Sequence, residues 1–350
     1  MSTFLSLLPL AGCGLMMRFC MRGMRGRSGA SADAEPAGEV EEEEGGGGAP
    51  SFRDLGGGFH RFQVLRRMRA SRSFVGAPLV VAAVLMTLGA TACGGDTTPQ
   101  VGALSGGATG GDFHSLVADP TVSGRIYVGG HTSVSRSDDS GRTWTAVPGL
   151  NDADAMGWGI ESTAIWVSGH AGLSLSVDGG VTFERRNSGL PDTDVHAFGA
   201  AGQALFAAGP GLGVVGSADG GSTWVPLSSA AGQSFFGRIL IDPADAEHLI
   251  AADVQNGASE SNDGGRTWTP LGTQPASWVS SSDGLSTLFA SGGPVAERSR
   301  DGGSTWERMT IPDGATLVEA TPGALYAGVH EGESVTLWVS ADDGITWNRP

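Results

Sequence analysis

Aspartate, histidine and methionine recur in one short pattern along the C-terminal two thirds of this sequence. The pattern is Asp112-x-His114, Asp154-x-Met156 and Asp194-x-His196. Imidazole and thioether groups suit Zn or Cu better than Mg or Ca. Residues two apart in a β-strand point to the same side. We therefore expect each carboxylate to orient the neighbouring side chain or to bind a ligand beside it.

Three further histidines end predicted strands close to this pattern. We predict that five histidines share one ligand-binding face: His114, His131, His170, His196 and His330. For a Zn or Cu ion, the predicted ligands are His114, His131, His170, His196 and Met156. The alternative is that these side chains are isolated polar residues around a wet channel, and His248 fits that alternative best.

Carboxylates on the same segments also allow hydrolysis of glycans. Glycoside hydrolysis needs two carboxylates at a suitable separation. The candidates are Asp112, Asp154, Asp194 and Glu161. The sequence leaves open whether the chain is an enzyme.

A repeated signature predicts the strands that position these residues: Ser-x-Asp-x-Gly-x-Thr followed by Trp or Phe. Successive copies begin 39, 41, 44, 38 and 41 residues apart. The six aspartates of the copies are Asp139, Asp178, Asp219, Asp263, Asp301 and Asp342. A period near 40 residues matches a four-stranded propeller blade. Within each copy the Asp accepts backbone N–H groups and the Gly supplies a positive φ, which predicts a structural hairpin turn.

The repeats predict an all-β fold, a six-bladed β-propeller over residues 112–350. Each repeat reads as four strands, A to D, with A innermost and the signature turn between C and D. The predicted A and B strands begin with 113–119 and 125–131 and end with 315–320 and 324–330. A-strand starts and B-strand ends share one face, opposite the signature turns. Ring closure is predicted to be either sequential or helped by a segment such as Val101–Ser105.

The signature resembles the Asp-box, or BNR repeat, of sialidases, glycanases, sortilin-type receptors and photosystem assembly factors. The first blade, Phe113–Pro120 with Arg125–His131, is similar to bacterial lipoproteins labelled exo-α-sialidase-like or glycosyl hydrolase-like. A sialidase needs three arginines and a Tyr–Glu pair. Arg238 is the one arginine on a predicted A strand, and neither Tyr127 nor Tyr326 has an evident glutamate partner. The resemblance therefore leaves three functions: a non-enzymatic binding propeller, a glycoside hydrolase, or an assembly factor for a membrane complex.

Charge and cysteine usage restrict the partners and the compartment. The net charge is −16, which disfavours nucleic acid. We expect a glycan, a small ligand or an envelope protein as partner. Cys13, Cys20 and Cys93 all precede the propeller, so its stability cannot depend on disulfides.

The N-terminal residues predict export to the bacterial cell envelope. Residues 68–93 combine arginines, an apolar run and Ala90-Thr91-Ala92-Cys93, which resembles a lipoprotein signal with Cys93 as the lipidated residue. The alternative is an uncleaved signal anchor, and either one predicts an extracytoplasmic, membrane-anchored protein. Residues 94–111 read as a flexible linker. Residues 1–67 read as a mis-annotated start or a disordered extension.

Overall fold

The computed structural model describes residues 106–350, which form β-strands and one short 3₁₀ turn at Pro148–Leu150. The predicted extension 1–67, the signal segment 68–93 with Cys93, and Val101–Ser105 lie outside the described residues. No helix among residues 106–350 is long and apolar enough to cross a bilayer.

The described strands form six four-stranded antiparallel units, following the six repeats. Unit 1 consists of β2 Phe113–Ala118, β3 Ile126–Gly130, β4 Val134–Ser137 and β5 Thr145–Ala146. Unit 2 consists of β6 Gly157–Glu161, β7 Ala164–Gly169, β8 Gly172–Ser176 and β9 Glu184–Arg185. Unit 3 consists of β10 Ala197–Ala201, β11 Ala204–Gly209, β12 Gly213–Ser217 and β13 Val225–Ser228. Unit 4 consists of β14 Phe235–Ile241, β15 Leu249–Asp253, β16 Gly257–Ser261 and β17 Thr269–Pro270. Unit 5 consists of β18 Trp278–Ser281, β19 Leu288–Ser291, β20 Glu297–Ser299 and β21 Glu307–Arg308. Unit 6 consists of β22 Ala315–Thr321, β23 Ala324–Glu331 and β24 Ser334–Ser340, together with β1 Gly107–Ala108.

Unit 6 takes its outermost strand from the N-terminal side of the described chain. Strand β1 pairs with β24 in the order β1-β24-β23-β22, with Gly107 opposite Val335. Thr109, immediately after β1, is fully buried and its amide donates to the Glu333 carbonyl. The linker predicted over 94–111 is therefore wrong at its C-terminal end, because the backbone N–H and C=O groups of 107–108 complete a sheet.

The first strands of the units contact one another around a packed centre. Strands β10 and β14 pair in parallel, joining units 3 and 4 into one sheet. At the centre Glu319 of β22 is buried and accepts three hydrogen bonds, from the Ala118 amide, the Arg238 guanidinium and the Trp278 indole. These bonds connect units 1, 4, 5 and 6, so the carboxylate is a junction that no local sequence pattern indicated.

All six signature turns have the same hydrogen bonds, which explains why the sequence repeats. In each turn the Ser hydroxyl donates to Asp Oδ1 and accepts the Gly amide, while the Thr amide donates to Oδ1. The Thr hydroxyl donates to Oδ2 at 2.6–2.7 Å. The aspartates are therefore used within their own turns.

Unit 5 contains a related turn that lacks the glycine of the signature. In the β18–β19 connection, both the amide and the hydroxyl of Thr287 donate to Asp283, and the Leu285 amide donates to Ser281 Oγ. Leu285 stands where the signature has glycine, with φ of +75°. Its side chain is buried, and this packing compensates the left-handed backbone.

Replacing Asp263 by alanine is expected to destabilise the fold by about 1–3 kcal/mol, because turn donors lose their acceptor. Asp263 accepts from Ser261, Arg266 and both donors of Thr267. Urea denaturation measures the loss, and Asp263→Asn, which keeps one acceptor oxygen, should lose less. Equal stability of Asp263→Ala and the wild type would contradict the structural role.

Acid should weaken the same turns. The amide and hydroxyl of Thr223 lower the pKa of Asp219 to about 2, and the hydroxyl and amide of Thr346 lower the pKa of Asp342 to about 2. A carboxyl whose folded pKa is depressed contributes stability above its unfolded pKa, near 3.9, and loses it as pH falls through the folded value. The urea midpoint should therefore drop between about pH 4 and pH 2. Asp219→Asn combined with Asp342→Asn should flatten this drop, and a flat wild-type profile would contradict the account.

Candidate functional site at the His–Asp face

Three of the five predicted histidines surround one buried carboxylate, that of Asp154, and a fourth lies beside them. The nearest nitrogen is Nδ1 in each case: His114 lies 2.8 Å from Asp154 Oδ1, and His131 lies 3.6 Å from the same oxygen. His170 Nδ1 contacts Asp154 Oδ2. His196 joins through Asp194, with Nε2 2.9 Å from Asp194 Oδ1. We call the surface formed by Asp112, His114, His131, Asp154, His170, Asp194 and His196 the His–Asp face.

The backbone around Asp154 is built for close approach. Asp154 has a left-handed φ of +52° and precedes β6, so its side chain turns away from the strand alternation. Gly169 ends β7 beside it, and a Cβ there would lie 2.2 Å from the carbonyl oxygens of Ala153 and Asp154. Gly130 and Gly209 occupy the same position in units 1 and 3, where a Cβ would lie 2.0 Å from the Asp112 and Asp194 carbonyl oxygens. Glycine at the B-strand end therefore lets each Asp-bearing segment reach the face.

The polar groups divide into two triads on either side of Asp154. One contains Asp112, His114 and His131, and the other contains His170, Asp194 and His196; in each, the potential ligand atoms lie within 4.8 Å of one another. Asp154 is almost fully buried, with a side chain 8% exposed, whereas the rings of His131 and His170 are about half exposed, at 54% and 50%. The face is therefore open to solvent above a buried anion.

Electrostatics within the face favour an ionised Asp154. Burial alone would raise its pKa, but the contacts with the His114 and His170 rings outweigh burial and hold the pKa well below its ordinary value. The hydrogen bond to Asp154 raises the pKa of His170. Burial lowers the pKa of His196, which favours its neutral ring. The face thus combines a buried carboxylate with imidazoles whose pKa values are shifted in opposite directions, and a neutral imidazole can serve as a metal ligand.

Phe236 belongs to the face and was not predicted. Its ring makes edge contacts with His114 and His196, at centroid distances of 5.7 Å and 5.9 Å. The predicted A strand of unit 4 began at residue 237, whereas β14 begins at Phe235. The parallel pairing of β10 with β14 sets Ala197 opposite Gly237, which places Phe236 level with His196. A register shift after Phe236 and the left-handed Gly237 direct its ring toward the face.

Several predicted site residues are placed differently. His330 does not join the four histidines: its Nε2 contacts Thr109 Oγ1 at 3.3 Å and its ring faces Phe113, because β1 and the long β23–β24 hairpin enclose it. Glu161 ends β6, at the opposite end from Asp154, and accepts the Gly202 amide. Its pairing with the other carboxylate candidates is therefore wrong.

The orientation predicted for His114 is also revised. We expected Asp112 to orient it, but a register shift between Phe113 and Ser115 breaks the strand alternation there, and its nearest carboxylate is Asp154. Asp194 does lie beside His196, as the pattern suggested. Met156 is buried, and its role as a metal ligand stays a prediction.

Comparison with solved structures supports a β-propeller fold. The chain is similar to the GH74 xyloglucanase from Xanthomonas campestris, with TM-score 0.50, 18% identity, and coverage of 70% of this chain and 46% of that one. It is also similar to a GH74 enzyme of Niastella koreensis, with TM-score 0.49, 16% identity, and coverage of 70% of this chain and 47% of that one. For YCF48 from Cyanidioschyzon merolae the TM-score is 0.43 and the identity 16%, with coverage of 70% of this chain and 85% of that one. The chain thus spans about half the length of the two GH74 enzymes. At these identities the similarity concerns the fold alone.

No protein-family model and no curated protein matches this sequence. Its function must therefore be inferred from the His–Asp face.

Proposed function

We propose that this chain is an envelope-anchored, extracytoplasmic β-propeller of the Asp-box type that binds its ligand at the His–Asp face, with Zn or Cu as part of the site. One observation carries the proposal: three imidazoles surround the buried carboxylate of Asp154, and a fourth, that of His196, joins them through Asp194. Buried charge is costly unless it is paired or coordinates a metal. A solvent-open cluster of imidazole and carboxylate is suited to a borderline metal ion.

We further propose that the six units are the six blades of one ring. Support comes from the contact of the first unit with the last, through the Ala118 amide on Glu319, and from β1 completing unit 6. In such a ring Asp112, Asp154 and Asp194, which precede the first strands of three consecutive units, would lie on one face. The His–Asp face is thus formed by equivalent positions of consecutive repeats.

The alternative function, glycoside hydrolysis, receives less support from the same residues. A general acid needs a raised pKa, whereas the pKa of Asp154 is lowered by its histidines. Both of its oxygens also face imidazoles. Asp154 is therefore unsuited to the role of general acid, whereas its contacts with imidazoles suit it to a binding site.

Equilibrium dialysis of the purified chain against Zn²⁺ or Cu²⁺, followed by metal analysis, tests the proposal. We expect tight uptake that is lost when His114 and His170 are both replaced by alanine. His248→Gln is the matched control, because His248 also contacts two carboxylates, Asp242 and Glu260, but lies outside the face. Release of reducing sugar from glycans by the same sample, without metal uptake, would favour the hydrolase instead.

Anchoring is tested by Cys93→Ser. Loss of the lipidated thiol is expected to move the protein from the membrane fraction to the soluble fraction, because a lipid chain then no longer holds it. Fractionation with immunoblotting measures the distribution. Unchanged membrane retention would favour the signal-anchor alternative.

A further inference from the structure

We propose that the His–Asp face holds two transition-metal ions rather than one. Each ion has its own triad, and Asp154 acts as a shared positioning residue between them. This inference rests on the proposed function and names its stoichiometry and ligands. It differs from a single four-histidine centre in adding Asp112 and Asp194 as ligands and in keeping Asp154 out of the coordination sphere.

The triad of His170, Asp194 and His196 shows the arrangement most clearly. His170 contacts Asp154 through Nδ1, which leaves its Nε2 facing Asp194 Oδ1 at 3.6 Å. His196 Nε2 lies 2.9 Å from the same oxygen. Ligand atoms around a tetrahedral Zn²⁺ lie about 3.3 Å apart, given metal–ligand bonds of about 2.0–2.2 Å. The two distances lie on either side of that value, so small shifts would admit an ion.

Two atoms of this triad are left without a hydrogen bond. Asp194 Oδ1 and His196 Nε2 are buried and lie 2.9 Å apart, yet neither has a hydrogen-bond partner among the described residues, and the same is true of His114 Nδ1 and Asp154 Oδ1, 2.8 Å apart. Buried polar atoms are nearly always satisfied, and an exception calls for an explanation such as an ion. A metal between them would satisfy both atoms.

The triad of Asp112, His114 and His131 is arranged around the other oxygen of Asp154. His114 Nδ1 lies 2.8 Å from Asp154 Oδ1, so its Nε2 is directed away from that carboxylate. Asp112 and His131 place ligand atoms within 4.8 Å of those of His114. With three protein ligands and an exposed ring, this position would keep a coordination site open to solvent.

The same contacts argue against one shared ion. The two nitrogens of an imidazole point in divergent directions in the ring plane, so a ring held by Asp154 at Nδ1 binds metal through Nε2, away from that carboxylate. His114 and His170 are held on different oxygens of that carboxylate. The ring of Phe236 contacts both His114 and His196. Carboxylate, histidine and metal in sequence is the usual arrangement that orients a histidine ligand.

Metal stoichiometry tests the inference. The full chain, freed of metal by chelator, is titrated with Zn²⁺ by isothermal calorimetry and analysed for bound metal after dialysis. We expect two ions for the wild type and for His248→Gln, but one ion each for His131→Ala and Asp194→Asn. Circular dichroism and thermal melting of every variant confirm that it is folded.

Asp154→Asn separates a positioning role from direct coordination. We expect both affinities to fall about 10–100-fold, while two ions still bind at saturation and the visible spectrum of the Co²⁺-loaded protein is unchanged. A changed Co²⁺ spectrum in Asp154→Asn would show that Asp154 is itself a ligand and would overturn its assignment.

The outcomes distinguish the two proposals. One ion in the wild type, lost in His131→Ala and in Asp194→Asn alike, would overturn the two-ion inference and leave the proposed function standing. No ion in a folded wild type would overturn both.

Discussion

Replacing Glu319 by alanine is expected to destabilise the fold by about 3–5 kcal/mol, the largest effect of any single substitution proposed for this chain. Glu319 is 1% exposed and accepts from Arg238 Nη1 at 2.9 Å, the Trp278 indole at 3.1 Å and the Ala118 amide at 3.1 Å. Its removal leaves a guanidinium, an indole and an amide without their acceptor. Urea denaturation followed by tryptophan fluorescence measures the loss.

Two further variants assign the loss to the buried charge. Burial raises the pKa of Glu319, and the guanidinium of Arg238 opposes that rise. Glu319→Gln keeps an acceptor oxygen and should lose less than Glu319→Ala. Arg238→Met added to Glu319→Ala should recover part of the loss, because it removes the unpaired cation. A loss below about 1 kcal/mol for Glu319→Ala would show that the centre does not depend on this junction.

Replacing Gly169 by alanine is expected to disrupt the His–Asp face and to weaken metal binding by at least about tenfold. The added Cβ would lie 2.2 Å from two backbone carbonyl oxygens, those of Ala153 and Asp154. Backbone cannot yield as a flexible side chain does, so the segment carrying Asp154 must move. Overpacking of this kind also costs about 1–3 kcal/mol of stability.

Calorimetric titration with Zn²⁺ measures the loss of affinity in Gly169→Ala. Gly179→Asn is the matched control, because Gly179 lies in the same unit, has no atom near a built Cβ, and has a left-handed φ that asparagine tolerates. Wild-type affinity in Gly169→Ala would mean that the position of Asp154 does not govern the site.

The fold was largely predictable because its determinants are local. Each signature turn is closed by hydrogen bonds between residues two to four apart, so the same letters recur in every unit. Strand alternation and the repeat period then predicted most A and B strands to within two residues. A closing strand from the N-terminal side was one of two predicted alternatives, but its position at Gly107–Ala108 was missed because two residues carry no periodic signal and their partner β24 lies more than 200 positions away.

The site was predictable in composition but not in detail. Strand order alone indicated that A-strand starts and B-strand ends share a face, and four histidines do meet there. The central role of Asp154 depends on a left-handed backbone and on a register shift at His114, which neither spacing nor composition encodes. The Glu319–Arg238 pair joins residues 81 positions apart. Contacts of that kind have no local signature.

Anomalous X-ray scattering at the zinc edge, from crystals of the Zn²⁺-loaded chain, tests the central claim most directly. The account predicts a peak bounded by His170 Nε2, His196 Nε2 and Asp194, and a second peak at Asp112, His114 and His131. An ordered His–Asp face with no anomalous peak on it, in a crystal grown with saturating Zn²⁺, would contradict the claim that this face is a metal-dependent ligand site.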